Sequence, residues 1–167
     1  MNKRQKISLL IVGFTVAAVG GWVYEEICIY VLYHYLYNRG MLHLTLCPIY
    51  GFGGWGLYAL LHKIKSVPLY FLLSTIIASV FEFACSYLLE WIFHRSYWSY
   101  ADWIFSVDDR ISLLSSIFFG ILAVIFAKAV LPFLRKCVQK GNANVWLAAS
   151  LVILGIICGD FLLVLLK

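Results

Sequence analysis

The sequence predicts an all-α integral membrane protein, a bundle of about five transmembrane helices in one domain over residues 1–167. Of the 167 residues, 63% are hydrophobic and 13% are charged, and the mean hydropathy is +0.92. A water-soluble fold of this composition would leave large apolar areas in water. The aromatic content of 17% supports a bilayer environment, because Trp and Tyr collect where acyl chains meet headgroups.

The first helix is predicted over residues 7–37. Its basic start and apolar run resemble a signal peptide, but the apolar pattern continues without a polar break, so we expect an uncleaved helix. Small residues and one carboxylate recur at intervals of four along it: Gly13, Ala17, Gly21 and Glu25. This spacing predicts a close-packing face that leads to Glu25, with Glu26 turned about 100° away from it.

The next stretch, NRGMLHLTLCPIYGFGGWG over residues 38–56, is rich in Gly and contains Pro48. A helix starting at residue 42 would be long enough to cross the membrane but would carry Pro48 inside it. A short helix over residues 49–61, preceded by a re-entrant or unwound stretch, fits the sequence as well. We interpret this stretch as the floor or lid of a site.

A third helix is predicted over residues 67–93, with a continuous polar stripe on an apolar cylinder. The stripe consists of Thr75, Ser79, Glu82, Ser86 and Glu90. Facing lipid would be costly for these groups, so the stripe should face protein. The Trp- and Tyr-rich connector at residues 94–110 has the composition of a segment lying along the membrane surface.

The fourth and fifth helices are predicted over residues 111–134 and 145–166. Small residues spaced by four suggest packing faces on both helices. They are Ser112, Ser116 and Gly120 on the fourth helix, and Gly155 and Gly159, beside Asp160, on the fifth.

Charge placement predicts a cytoplasmic N-terminus and an outside C-terminus. With five crossings, one side carries Lys3, Arg4, Lys6, Lys63, Lys65, Arg135, Lys136 and Lys140, and the other carries Arg39, Arg95, Arg110 and Lys167. Counting about 1.5 Å per residue puts Glu25, Glu82 and Asp160 in the outer half of the bilayer. The net charge of +5 comes from clusters in loops, so no nucleic-acid partner is predicted.

The buried acids allow two interpretations. They could pair with Arg39 and Arg110 to hold the bundle together, or they could line a wet cavity that binds a polar solute or carries protons. His43 and Cys47 could form a base and nucleophile, or half a metal site with His34, but no accompanying ligand motif supports either. We therefore predict no metal and no cofactor, and only weak catalytic candidates, Cys47 and Glu82.

Several motifs occur together along the first four helices. They are YE at residues 24–25, NRG at 38–40, CPIYGFG at 47–53, Glu82, Ser86, FHRSYWSYADWIFSVDDRI at 93–111 and FG at 119–120. This order resembles the bacterial ABC-transporter permease family called CmpB-like, up to about residue 140. The resemblance implies a multi-pass protein of the bacterial cytoplasmic membrane. It marks as matching positions Glu25, Arg39, Gly40, Cys47, Pro48, Tyr50, Gly51, Glu82, Trp98, Tyr100 and Arg110.

The chain departs from the family pattern at three positions. Ser99 stands where the family has an acid, and Ser106 and Asp109 stand where Asn and Gly are expected. Asp102 or Asp108 is expected to replace the missing acid. The chain has no ATP-binding motif, so the resemblance implies a separate ATPase subunit as a partner of any pump.

The leading hypothesis is a permease-like or substrate-capturing membrane component for a small charged solute or lipid headgroup. The predicted binding residues are Glu25, Arg39, Tyr50, Glu82, Glu90, Trp98, Tyr100 and Arg110, supported structurally by Gly40, Cys47, Pro48, Gly51 and Asp160. The alternatives are a membrane-embedded enzyme acting on a lipid or headgroup, and a structural accessory subunit of a membrane complex. The expected partners are the lipid bilayer and an ATPase subunit or a second copy of the chain.

Overall fold

The computed structural model describes residues 1–34 and 42–166. The helices are α1 (Lys3–Tyr33), α2 (Pro48–Leu61), α3 (Val67–Phe93), α4 (Leu113–Ile125), α5 (Leu131–Lys140) and α6 (Ala143–Leu165). A π-helical turn, Phe126–Val130, joins α4 to α5, and two short strands, β1 (Ser106–Val107) and β2 (Ile111–Ser112), pair antiparallel. The predicted all-α class is confirmed.

Four helical stretches in the described residues are long and apolar enough to cross a membrane: Lys3–Val31, Val67–Phe93, Leu113–Lys140 and Ala143–Leu165. The remaining predicted crossing, the second along the chain, corresponds to α2, which has 14 residues. At 1.5 Å per residue it is about 21 Å long, shorter than a hydrocarbon core of about 30 Å. Of the two alternatives for this region, the structure has the short helix preceded by non-helical chain.

The chain divides into two compact units, Met1–Trp55 with Lys128–Lys167, and Gly56–Ala127. In the first unit, α1 packs against α5 and α6. The Gln5 side-chain amide donates to the carbonyl oxygen of Val138 at 3.2 Å, and the Arg4 guanidinium donates to the side-chain oxygen of Asn144. Because these contacts join the start of α1 to the end of α5 and the start of α6, α1 and α6 run in the same direction.

The first residues of α2 run antiparallel to α1 in the same unit. A Cβ atom at Gly21 would lie 2.0 Å from the Tyr50 ring, and one at Gly13 would lie 2.8 Å from the Trp55 ring. The Trp55 indole N–H also donates to the carbonyl oxygen of Leu10 at 3.1 Å. The small-residue face predicted on α1 is therefore confirmed, and aromatic side chains of α2 occupy it.

In the second unit, α3 packs along α4. The Ser79 hydroxyl donates to the Ser116 hydroxyl at 2.7 Å, and a Cβ at Gly120 would lie 2.0 Å from the Thr75 hydroxyl oxygen. The polar stripe of α3 and the small-residue face of α4 thus face one another, which confirms that the stripe faces protein. The apolar core of this unit consists of Leu57, Leu61, Tyr70, Ala123 and Ala127.

Two details of the prediction are wrong. Helix α4 begins at Leu113 and not at residue 111, because residues 111–112 form β2 and the Ser112 side chain caps the helix through the Ser115 amide. Gly155 and Gly159 are not a packing pair within the described chain, since a Cβ at either would meet no atom within 4 Å. The reason is helical phase: α6 uses the face of Ile157 and Val164 to pack, and both glycines lie on the opposite face.

Candidate functional site

Residues 42–47 form a non-helical segment within the first unit. The Cys47 amide donates to the carbonyl oxygen of Ala18 at 3.0 Å, and the Leu44 amide donates to a carboxylate oxygen of Asp160 at 3.1 Å. Counting 1.5 Å per residue, Ala18 and Asp160 lie about 22 and 26 Å from the shared end of α1 and α6. Non-helical backbone at such depth is tolerated only where protein buries it or a wet cavity adjoins it.

Apolar side chains anchor this segment between α1 and α6. Leu42 and Leu46 are 3% and 5% exposed and pack against Ala18, with Ile157 and Val164 of α6 beside them. The two leucines, near opposite ends of the segment, therefore bury apolar surface against the helices, although the segment itself is not helical. They fix the segment's position in the protein interior.

Asp160 is the polar anchor of the segment. Its second carboxylate oxygen lies 2.9 Å from the His43 ring nitrogen Nδ1, and the Asp160 side chain is 10% exposed while that of His43 is 51% exposed. Asp160 thus binds both a side chain and a backbone amide of the same segment. Arg39, a predicted partner of the acids, and Gly40 lie outside the described residues.

The carboxylate of Glu25, a residue of α1, lies next to the start of α2. The Tyr50 hydroxyl donates to one carboxylate oxygen at 2.9 Å, and the Cys47 thiol lies 3.9 Å from the other. Pro48 opens α2, where a missing N–H costs nothing, and Gly51 leaves room for the Phe14 ring, which a Cβ would approach to 2.5 Å. The CPIYG motif therefore brings Cys47 and Tyr50 to Glu25 by letting α2 approach α1 closely.

Cys47 is buried, at 6% exposed. Burial raises the pKa of its thiol well above the usual range, and the negative charges of Glu25 and Glu26 raise it further. A catalytic cysteine needs the opposite environment, one that stabilises the thiolate. The thiol of Cys47 is thus a neutral, poorly nucleophilic group at physiological pH.

Glu26 differs from its neighbour. It is only 8% exposed, and its Oε1 atom is buried without a hydrogen-bond partner among the described residues. Glu26 lies about 100° around α1 from Glu25, as predicted, and it is buried as well. Helical spacing alone contains no signal for this burial.

The second unit contains its own buried acid. Glu82 is 5% exposed, and one of its carboxylate oxygens accepts a 2.7 Å hydrogen bond from the Tyr100 hydroxyl. Tyr100 in turn is held by its backbone amide, which donates to the carbonyl oxygen of Asp109 at 2.8 Å. This arrangement ties the aromatic connector to the middle of α3.

Arg110 makes a second attachment between the connector and α3. It forms an ion pair with Glu90, lies 3.4 Å from the Ser86 hydroxyl, and places its guanidinium 3.9 Å from the centre of the Tyr87 ring. The hydrogen bond to Glu90 raises the pKa of Arg110, so its charge persists at every physiological pH. The sequence suggested that Arg110 pairs with one of the buried acids Glu25, Glu82 and Asp160, whereas its ion pair in the structure is with Glu90.

Trp98 completes this attachment, since its indole N–H donates to the carbonyl oxygen of Arg110 at 3.1 Å. The turn between the strands uses left-handed backbone at Asp108 and Asp109, with φ of 49° and 57°. Asp is among the few non-glycine residues that adopt this conformation at modest cost. The turn sets the direction from which Arg110 approaches α3.

The predicted site residues therefore fall into two groups. The first unit holds Glu25, Cys47, Pro48, Tyr50, Gly51 and Asp160, and the second holds Glu82, Glu90, Trp98, Tyr100 and Arg110. Convergence of the two groups in one pocket stays a prediction. Sequence reasoning missed the contacts of His43 and Tyr87 and the burial of Glu26.

Helices long enough to span a membrane, a non-helical segment at depth and buried carboxylates are features that occur in membrane transport proteins. The chain belongs to the family described as "Putative ABC-transporter type IV", which it matches over residues 12–165. The match confirms the CmpB-like resemblance and extends it beyond residue 140 to include α6. Neither a curated protein nor a solved structure was found to match the chain.

Proposed function

We propose that this transport-related membrane protein is the solute-capturing component of a transporter, and that it binds a small solute carrying a positive charge beside residues 42–47. The observation that carries the proposal is the position of this segment, which hydrogen bonds to Ala18 and Asp160 hold about 22 to 26 Å along α1 and α6. Transporters bind substrates and ions at such breaks, where backbone groups are not consumed by helical hydrogen bonds.

The side chains around the break favour a cationic group in the solute. The Glu25 carboxylate accepts a hydrogen bond from the Tyr50 hydroxyl, and an ionised carboxylate is an acceptor that attracts a positive charge. An ammonium group supplies three donors and the opposite charge. Glu25 and Tyr50 would hold such a group, with Gly21 and Gly51 keeping α2 close enough for the pair to form.

We assign the second group of predicted residues to a supporting role, with Glu82 kept as a further binding candidate. Arg110 has Glu90, Ser86 and Tyr87 as partners, which supports a function in fixing the connector on α3. The same contacts favour the second candidate function, a structural accessory subunit of a membrane complex. That candidate predicts that neutralising Glu25 is tolerated.

An ATP-driven transporter of this design would need a separate ATPase subunit, because the chain has no phosphate-binding loop followed by Lys. The family to which the chain belongs supports this partner. A bacterial cytoplasmic membrane location with the N-terminus inside is part of the same proposal, since cytoplasmic loops carry the excess of Lys and Arg.

The test is to identify small molecules that co-purify with the full chain. Wild-type protein and the Glu25→Gln and Glu90→Gln variants would be purified alike, and the released molecules compared by mass spectrometry. We expect a molecule with an amine or quaternary ammonium group in wild type and Glu90→Gln, and its loss from Glu25→Gln. Identical sets from all three folded proteins would refute a binding role for Glu25.

A further inference from the structure

Basic side chains are concentrated at the end of the first unit where α1 and α6 begin and α5 ends. The Gln5 side-chain amide donates to the carbonyl oxygens of Val138 and Gln139, at 3.2 and 3.4 Å, in the last turn of α5. The Arg4 guanidinium donates to the side chain of Asn144 in the first turn of α6. These contacts bring together five exposed cations, which we call the basic end: Lys3, Arg4, Lys6, Lys136 and Lys140.

The acidic residues of the first unit lie far from the basic end. By sequence they are Glu25, Glu26 and Asp160. At 1.5 Å per residue, Glu25 is about 33 Å along α1 from Lys3, and Asp160 is about 26 Å along α6 from its first residue. Both distances are about three Debye lengths or more at physiological ionic strength. The carboxylates of this unit therefore do not neutralise the basic end.

The positions of these cations are unfavourable for the helices that carry them. Lys136 and Lys140 are four residues apart on α5, so two like charges share one helix face. Lys3 and Arg4 lie in the first turn of α1, which contains no acidic residue, although the helix dipole favours negative charge there. A bound anion would relieve both effects.

Exposed apolar side chains lie directly beside the cations. On α1, Ile7 is four residues after Lys3 and is 37% exposed. On α5, Phe133 is three residues before Lys136 and is 65% exposed, so the two side chains are neighbours on the helix surface. A ligand for this surface would combine an anionic group with an apolar chain. A soluble acidic protein would match the cations but not the apolar side chains.

Trp146 marks the level of the basic end in the membrane. A Cβ atom at Gly141, the residue after α5, would lie 2.2 Å from the Trp146 indole nitrogen, so the indole packs against the turn between α5 and α6. Tryptophan side chains collect where acyl chains meet headgroups. Lys140 is adjacent to this turn and is therefore at the height of lipid phosphates.

We propose that the basic end binds the headgroup of an anionic phospholipid, with its phosphate on Lys136 and Lys140 and an acyl chain along Phe133. Lysine ammonium groups bind phosphate as point charges and adapt to a mobile headgroup. The site is separate from residues 42–47, which lie about 22 to 26 Å along α1 and α6. It does not depend on the proposed solute.

The experiment uses the full chain in a non-ionic detergent. Native mass spectrometry measures the binding of dioleoyl phosphatidylglycerol, which is anionic, and of dioleoyl phosphatidylcholine, which has no net charge. We expect wild type to prefer phosphatidylglycerol. In Lys136→Gln/Lys140→Gln its affinity should fall by about fivefold for each charge removed. The matched control is Lys63→Gln/Lys65→Gln, which removes two exposed charges from the turn between α2 and α3 and should keep the wild-type preference.

Equal binding of both lipids by wild type would leave the basic end to an acidic protein and overturn the proposal. Equal losses in the two double variants would overturn it too, since net charge alone would then explain the binding. Inorganic phosphate at the same concentration as the lipid should not displace phosphatidylglycerol, and displacement would show a phosphate-ion site without lipid.

A measurement on wild type covers the case in which Lys136→Gln/Lys140→Gln yields no folded protein. Raising ammonium acetate from about 0.1 M to about 1 M shortens the Debye length from about 10 Å to about 3 Å. The preference for phosphatidylglycerol should then disappear. A preference that is unchanged by salt would show that the lysine charges do not cause it, and would overturn the proposal.

Discussion

The backbone amide of Cys47 donates a 3.0 Å hydrogen bond to the carbonyl oxygen of Ala18, in the middle of α1. A carbonyl oxygen has two lone pairs, so a helical residue can accept a second hydrogen bond from outside its helix. Ala18 has the small side chain that such an approach requires, and it is fully buried. This bond places the start of α2, and with it Tyr50, beside Glu25.

Gly21 should be indispensable for that approach. In Gly21→Ala the new Cβ would lie 2.0 Å from the Tyr50 ring, so α2 must shift, and we expect a loss of about 1–3 kcal/mol in stability. Thermal unfolding followed by tryptophan fluorescence measures the effect. Gly20→Ala is the matched control, because nothing lies within 4 Å of its Cβ. Equal melting temperatures for the two variants would contradict the packing described.

The Cys47 thiol should react slowly with maleimides at neutral pH. Since burial raises its pKa, the thiolate is scarce at neutral pH, and labelling should keep accelerating as the pH rises. The measurement is the labelling rate by mass spectrometry with membrane-permeant N-ethylmaleimide. Lys65→Cys, in an exposed turn, provides a thiol of ordinary reactivity in the same protein. Labelling of Cys47 that is fast and levels off near neutral pH would instead support the enzyme hypothesis.

Removal of the Tyr100 hydroxyl should destabilise the second unit. Tyr100→Phe withdraws the 2.7 Å donor from the buried Glu82 carboxylate, and we expect a loss of about 1–3 kcal/mol. Tyr30→Phe changes a tyrosine that is 56% exposed and should shift stability by less than about 0.5 kcal/mol. The two variants are compared by thermal unfolding in the same detergent. A Tyr100→Phe protein as stable as Tyr30→Phe would show that the connector is not held through Glu82.

Arg110 and Glu90 should show coupled effects. Arg110→Gln should lower the melting temperature because it removes the contacts of Arg110 with Glu90, Ser86 and Tyr87 together. Glu90→Gln removes only the first of these contacts and should lower it less. In the Arg110→Gln background, Glu90→Gln should cause little further change, because the ion pair is already gone. A double-mutant cycle of melting temperatures measures this coupling. Additive losses would mean that the two residues act independently.

The sequence predicts much of the fold because lipid imposes strong rules on it. The bounds of α3 follow from its apolar run, with Pro68 in the first turn, and the polar stripe of α3 predicts a protein partner since lipid would penalise it. The contacts Ser79–Ser116 and Gly120–Thr75 show that the partner is α4. Periodicity along a single helix identifies a packing face but not the helix that covers it.

The candidate site is less predictable because it depends on irregular chain. The position of residues 42–47 rests on hydrogen bonds with Ala18 and Asp160, which are far away in sequence. Arg110 forms its ion pair with Glu90 from the end of a turn in which Asp108 and Asp109 have left-handed backbone. Neither feature follows from helical spacing, whereas the close-packing face that includes Gly13 and Gly21 and leads to Glu25 was predicted from it.

The central claim is that residues 42–47 border a wet site in the outer half of the bilayer. Electron paramagnetic resonance of a spin label at Thr45, an exposed position of this segment, tests it in nanodiscs. The matched control is a label at Val19, an exposed apolar position next to Ala18 on α1. We predict that a water-soluble nickel complex relaxes the label at Thr45, while only oxygen relaxes the label at Val19. Equal exclusion of nickel from both positions would place the segment in lipid and contradict the account.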